Sequence, residues 1–475
     1  MRIVGAALIA ALFVAPAEAG MFQSATRWVT GGWMSAKPVP AGPSVVGPSA
    51  AGPAAKTPAI PAALEAGPAI RPGVEAAAFS EGASVRPESA DVSGERSLPS
   101  AESVSDSFDG AARPGWWAET IESPVDGTPL SVTRRGSDAT KRARVYSGGL
   151  ALAESFDPYF QTKDDDGRPT FYMKTRAHPP TPWRPTRNVL DADARDLARV
   201  ILNASAASAS GKVELALHSF GTLVFQRLVQ LRDDPMASRA LEVLAGSRVV
   251  LLNATTHYPG TERQAGPEFE RMAKATIGFV DWLDMVDAWA AWYDSLGSLG
   301  WWLARRFAPW MKVFPVPTVQ GPWELQRPFF IAAAAKGAVD MMRGDLKPKW
   351  EPGIDPIRVR LAVELEEHAL DGGWQEAMLR RSADMFRLNF SRYDVEYLRA
   401  LKLDIEFVHS SADALLNWKS AWILFDRFGL APPAGPPPPG TVLESEEGRW
   451  RARIVDGDHY FPLKKPGELA KVLDR

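Results

Sequence analysis

Residues Glu214 to Leu223 read ELALHSFGTL: an apolar run of strand character, then His218-Ser219-Phe220-Gly221, then a run of helical character. A serine between a buried strand and a helix has two physical readings. It caps the helix, because serine favours that position whatever the chemistry. Alternatively it is a nucleophile, which needs a neighbouring base to take its proton. The ten residues alone leave both readings open, so the decision rests on what the rest of the chain supplies.

Outward from this stretch the pattern is one of alternation. On the N-terminal side, ETIESPVDGTPLSVTRRG places Asp126-Gly127 between two β-like runs, a hairpin signal. Short strands follow in ARVYSGGLAL, over Arg144 to Tyr146, and in TFYMKTRAHPP. Leu190, Ala194, Leu197, Ala198, Ile201 and Leu202 then share one helical face. Beyond the helix that starts after Ser219 and runs through Leu231, SRVVLLNAT (247–255), LKLDIEFVHS (401–410) and the start of ARIVDGD are further apolar strands. Strands alternating with helices predict an α/β fold, a doubly wound and mostly parallel sheet.

The alternation stops between about 257 and 398, where helical signals take over. Seven of the 17 tryptophans fall between Trp282 and Trp323. Trp282, Met285, Val286, Trp289, Trp292 and Tyr293 recur at helical spacing, with Asp281, Asp284, Asp287 and Asp294 between them. A helix burying one face on the body accounts for most of these residues. A helical cap whose aromatic face also lines a cleft is the sharper alternative. Charges interrupt every stretch, so no transmembrane helix is expected there.

Two further segments stand apart from the body. After Arg2, the uncharged run IVGAALIAALFVAPA and the small-x-small triplet Ala17-Glu18-Ala19 have the build of a secretory signal peptide, over 1–19. Residues 20–115 are an Ala/Pro/Gly/Ser-rich linker, as in AGPSVVGPSAAGPAAKTPAIPAALEAGPAIRPG. Such a composition cannot bury enough apolar surface to offset its ordering entropy, and disorder is expected. Export, to a periplasm or beyond, follows as the expected localisation. With 54 basic and 57 acidic side chains the chain has no field to gather nucleic acid, and none is expected as a partner. No cysteine is present, which removes disulfides, thiolate metal sites and a cysteine nucleophile. The six histidines form no HExxH pair, and Asp456 with Asp458 lack a third ligand, so neither a metal nor another cofactor is expected.

Three predicted strand ends carry groups that can act together. Ser219 follows VELALH, Asp413 follows IEFVHSSA, and His459 follows ARIVDGD. A serine hydroxyl needs an imidazole, and the imidazole needs a carboxylate on its other nitrogen. His218 adjoins the serine, but neighbouring residues point apart and it cannot easily serve Ser219. His178, in RAHPP, reads as a loop residue that could flank a cleft.

Taken in order, these segments resemble the α/β-hydrolase superfamily, lipases and esterases included. SPVDGTPLSVTRRG looks like the family's opening hairpin, SGGLALAESFDPYF its oxyanion loop and first helix, and LHSFG its nucleophile elbow. VHSSADALLN resembles the acid loop, and VDGDHYFPLKKPGELAKVL the histidine loop with its closing helix. The resemblance implies a hydrolase core in two parts, 116–256 and 399–475, around a helical Trp-rich cap insertion at 257–398. It implies Ser219 as nucleophile, His459 as general base and acid, and Asp413 as the orienting carboxylate. The N–H groups of Phe220 and Leu150 would form the oxyanion hole. Three departures stand out: Leu217 where the elbow usually carries glycine, Gly148-Gly149 where a His-Gly pair is usual, and the insertion APPAGPPPPGTVLESEEG between acid and histidine.

The expected function is therefore a secreted serine hydrolase that cleaves a carboxylic ester with an apolar, lipid-like acyl group. A peptidase or thioesterase of the same fold is an alternative. So is a catalytically inactive scaffold displayed on the linker, for which Leu217 is the main argument. The Trp-rich region also leaves a membrane-surface or partner-docking role open.

Overall fold

The computed structural model describes residues 116–150, 167–256, 267–295, 323–346, 356–413, 415–416 and 418–473. The expected signal peptide, the linker and the tryptophans at 301, 302 and 310 lie outside them. Strand β1 (Trp116–Glu122) turns back into β2 (Pro129–Arg135) in antiparallel register, with Ile121 opposite Leu130. At the turn Gly127 adopts φ 69°, which costs glycine no Cβ clash, and Asp126 Oδ1 accepts the Thr128 N–H at 3.0 Å. This is the hairpin that the Asp-Gly pair predicts.

Strands β3 (Ala143–Ser147), β4 (Thr170–Met173), β5 (Val213–His218), β6 (Arg248–Leu252), β7 (Asp404–Ser410), β8 (Val442–Glu444) and β9 (Trp450–Val455) complete one nine-stranded sheet in the order β1-β2-β4-β3-β5-β6-β7-β9-β8. From β4 to β9 the central pairs are parallel; the two edges, β1-β2-β4 and β8-β9, pair antiparallel. The chain steps outward from β3 to β4 and then crosses back to place β5 on the other side of β3. That reversal leaves a crevice at the carboxyl ends of β3 and β5, the place where open α/β sheets hold ligands. Ser147 pairs with Leu217 at this point, so Gly148-Gly149 and Ser219 emerge side by side.

The sheet separates two apolar cores, and the period of two along each strand decides which residue joins which. Leu215, Leu217, Val249, Leu251 and Phe407 face one side, where helices α1 (Val189–Ala206), α2 (Phe220–Gln230) and α3 (Pro235–Leu244) pack. Ala216, Val250, Leu252 and Val408 face the other. The α1 face predicted from periodicity is the buried one: Leu190, Ala194, Leu197, Ala198 and Ile201 are all in the first core, with Leu202 half-buried beside it.

Between β6 and β7 the described chain is helical: α4 (Pro267–Ser295), α5 (Trp323–Leu346), α6 (Pro356–His368), α7 (Gly372–Arg387) and α8 (Arg392–Ala400). Trp282 meets Phe279, Trp323 and Phe330 at 5.3 to 5.9 Å between ring centres, so this half-buried tryptophan packs against the second core. The side chains of Trp289, Trp292 and Tyr293 lie outside the described set. The aspartates between the α4 aromatics have ionic partners: Asp287 with Arg327, Asp284 with Arg380, and Asp281 with Arg387. Glu376 joins Arg327 to Arg380 and so links α5 with α7. On its other side α7 reaches α1 through Arg381, whose Nε lies 2.8 Å and Nη2 3.1 Å from the Asp193 carboxylate, both side chains fully buried.

After β7 come α9 (Trp418–Arg427), the β8-β9 hairpin, the short turn α10 (Phe461–Lys464) and α11 (Pro466–Leu473). The segment APPAGPPPPGTVLESEEG is thus more than a surface insertion. Its latter half supplies β8, whose Val442–Glu444 register runs against Arg453–Arg451.

Candidate active site

Ser219 closes β5 and opens α2 at φ 52° and ψ −115°, a conformation that an L side chain adopts only under constraint. Its hydroxyl makes no capping hydrogen bond to the helix, which separates the two readings of the opening stretch. The constraint has a visible origin. The Ser219 N–H donates to Leu252 O at 2.9 Å, and the Gly221 N–H donates to Gly148 O at 3.1 Å. A Cβ on residue 221 would stand 2.8 Å from Ser147 O, so only glycine lets α2 start this close to the end of β3.

Leu217 stands at the usual glycine position. Its side chain is fully buried in the first core beside Leu215, on the side of the sheet where α2 packs.

The structure brings together the three residues predicted from strand ends. His459 Nε2 lies 3.1 Å from Ser219 Oγ, and His459 Nδ1 lies 2.8 Å from Asp413 Oδ2. Asp413 Oδ1 accepts the N–H groups of Leu415 and Leu416 at 3.0 and 2.8 Å. Burial alone would raise the Asp413 carboxyl, but the adjoining imidazole and these donors hold it below the usual carboxylate range. An ionised Asp413 only accepts, so Nδ1 of His459 carries the hydrogen and Nε2 is left as acceptor for the Ser219 hydroxyl.

Two residues hold the histidine from behind. The His459 carbonyl accepts from Asn253 Nδ2 at 2.9 Å and from His218 Nε2 at 3.1 Å. Asn253 Oδ1 in turn accepts the Ser410 N–H at 2.9 Å, which joins the ends of β6 and β7 to the histidine loop. Burial, with His459 alongside, pushes His218 down to about 3, so it stays neutral and donates through Nε2. Sequence reasoning correctly keeps His218 from the serine but finds no task for it. It misses Asn253 altogether, although a polar residue directly after the apolar run VVLL was a weak signal.

Of the expected oxyanion donors, Phe220 follows the serine in the chain and Leu150 follows Gly149, which passes close to it. Phe220 N is the first amide of α2, where the helix dipole favours negative charge. Neither amide N–H has a hydrogen-bond partner among the described residues. An idealised Cβ on Gly149 would be 3.8 Å from Ser219 Cβ, which shows how closely this loop passes. The continuation of the loop beyond Leu150, with the first helix expected there, lies outside the described residues. Among the described residues no group of three or more His, Asp or Glu side chains is placed to hold a metal ion. No helix among them is long and apolar enough to cross a membrane.

The strand order, the reversal at β3 and the placing of Ser219, Asp413 and His459 after β5, β7 and β9 define an α/β-hydrolase fold. Solved structures with a similar arrangement include an esterase from Exiguobacterium antarcticum, at 14% identity and TM-score 0.43, covering 75% of this chain and 98% of that one. A carboxylesterase structure from Nitrososphaera gargenis matches at 14% and 0.43, covering 75% and 96%. The Cif epoxide hydrolase from Acinetobacter nosocomialis matches at 13% and 0.42, covering 77% and 90%. No family model and no curated protein matches the chain.

Proposed function

We propose that the protein is an exported serine hydrolase that cleaves carboxylic esters through an acyl-enzyme. The observation that carries this reading is the unbroken row Ser219–His459–Asp413, with hydrogen-bond distances of 3.1 and 2.8 Å. Ser219 Oγ attacks the acyl carbon while His459 Nε2 takes its proton, and the Asp413 carboxylate stabilises the resulting imidazolium. The carbonyl oxygen, now negative, is met by the N–H groups of Phe220 and Leu150. His459 returns the proton to the leaving alkoxide, and water repeats the sequence to release the acid.

The preference for an apolar acyl group rests on the tryptophan-rich cap over 257–398, since insertions over this kind of sheet roof the cleft. A p-nitrophenyl ester series tests it: turnover should rise from short to medium or long chains, and a flat series would refute the preference. Export rests on the Arg2 to Ala19 pattern and predicts a mature N-terminus at Gly20. The inactive-scaffold alternative rests on Leu217 at the usual glycine position of the elbow. Labelling by a serine-directed fluorophosphonate tests the whole reading. Wild type should label and Ser219→Ala should not; equal labelling of both would refute it.

A further inference from the structure

We propose that His178 is a positioning residue for the oxyanion hole, and that the cap holds it in place. This rests on the hydrolase reading above. His178 is fully buried, and its Nε2 lies 3.2 Å from the Leu150 carbonyl oxygen. A carbonyl only accepts, so Nε2 carries the hydrogen and donates it. The bond falls on the carbonyl of the same residue whose N–H is to face the oxyanion.

On the other side of that N–H, the chain is held where Gly148 O accepts the Gly221 amide at 3.1 Å. The two contacts flank the Gly149–Leu150 peptide that carries this N–H. Gly148 and Gly149 impose no side-chain restraint of their own on that peptide, which is why an external anchor matters.

The anchor itself is rigid. The His178 N–H donates to Thr175 O at 3.2 Å and the His178 carbonyl accepts from Thr181 N at 2.8 Å. Arg381 of α7 donates through Nη2 to the Arg176 carbonyl at 2.7 Å while paired with Asp193 of α1. The same guanidinium stands 5.6 Å from the ring centre of Phe220, the residue of the other oxyanion donor. His368 of α6 packs edge-on against His178 at 6.2 Å between ring centres. One side of the cap therefore touches the Phe220 ring and His178 itself.

The chemistry of position 178 favours this role over plain packing. His178 Nδ1 is buried with no partner among the described residues. Burying that nitrogen costs free energy that an apolar side chain of similar size would avoid. The Nε2–H bond is the return on that cost. Burial, the Arg381 charge and His368 keep the ring well below the ordinary histidine range, so it donates in one fixed tautomer at any working pH.

The test compares His178→Leu, which keeps bulk but cannot donate, with His178→Gln, which keeps an N–H. Ester kinetics are read alongside affinity for an aliphatic trifluoromethyl ketone. Ser219 Oγ adds to that ketone's carbonyl carbon, its proton passes to His459, and the ketone oxygen becomes the oxyanion. His178→Leu should lower kcat about 10- to 100-fold, with KM within about threefold, and weaken the ketone by a similar factor. His178→Gln should restore kcat to within about fivefold of wild type. Wild-type kcat and ketone affinity in His178→Leu would overturn the proposal and leave the hydrolase reading intact. Equal losses in both variants, in step with a fall in Tm, would also overturn it. A wild type that neither cleaves esters nor binds the ketone would overturn both.

Discussion

His459 Nε2 stands 3.1 Å from Ser219 Oγ although 240 residues separate them. The distance is set by the sheet: Ser219 ends β5, His459 follows β9, and β6 and β7 lie between those strands.

Ser219→Ala is expected to abolish turnover, by about 10⁴-fold or more, because the three residues act as a unit. Stability should change by less than the roughly 1 kcal/mol of a lost cap, since the hydroxyl makes no capping bond. His459→Ala should be nearly as damaging and Asp413→Asn somewhat less so. Steady-state kinetics with urea denaturation of the same samples check this.

Gly221→Ala is expected to harm both fold and activity. Its Cβ would stand 2.8 Å from Ser147 O and 3.1 Å from Gly148 O, both backbone atoms with little room to yield. The strain should cost about 1–3 kcal/mol and displace the oxyanion loop, lowering kcat about tenfold or more. Thermal unfolding and fluorophosphonate labelling rates give the two readouts.

Asp193→Ala should cost about 3–5 kcal/mol, because it leaves the Arg381 charge buried without its bidentate partner. Adding Arg381→Met should recover much of that loss in urea midpoint. It should not recover activity, since Arg381 also ties α7 to the Arg176 carbonyl.

Acid should weaken the fold through His409. Burial pushes this histidine down to about 4, against an unfolded value near 6.5. The unfolded chain therefore binds the proton first, and the stability contributed at neutral pH is lost as pH falls from about 6.5 toward 4. Between pH 7.5 and 5 the loss is about 2 kcal/mol. Asp196 and Asp384, raised by burial to about 6, act in the opposite sense, so wild type must be compared with His409→Leu. The variant should gain about 2 kcal/mol relative to wild type on moving to pH 5. An unchanged gap would refute the assignment.

Most of the sheet was legible because its strands are short apolar runs punctuated by Gly, Pro and Asp, as in KVELAL and LKLDIEFVHS. The three candidate site residues were legible for a related reason: chemistry in such a sheet collects at strand ends. What stayed hidden depends on contacts distant along the chain. Asn253 matters through Ser410 and His459, and Asp284 through Arg380, none of which any local pattern announces. Strand β8 was hidden by composition, since three residues after GPPPPG read as loop until β9 pairs with them.

The clasp on the His459 carbonyl also bears on the order of events during synthesis. The elbow, β6 and the cap all leave the ribosome before β9 is made, so a nascent chain holds a serine with no base within reach. The Ser219–His459 pair forms only when β9 docks on β7 and Asn253 and His218 seize the loop behind it. A fragment spanning 116–449 should carry the elbow yet stay silent toward esters. On the proposed reading, the Ser219–His459 pair is completed by β9, the last strand among the described residues.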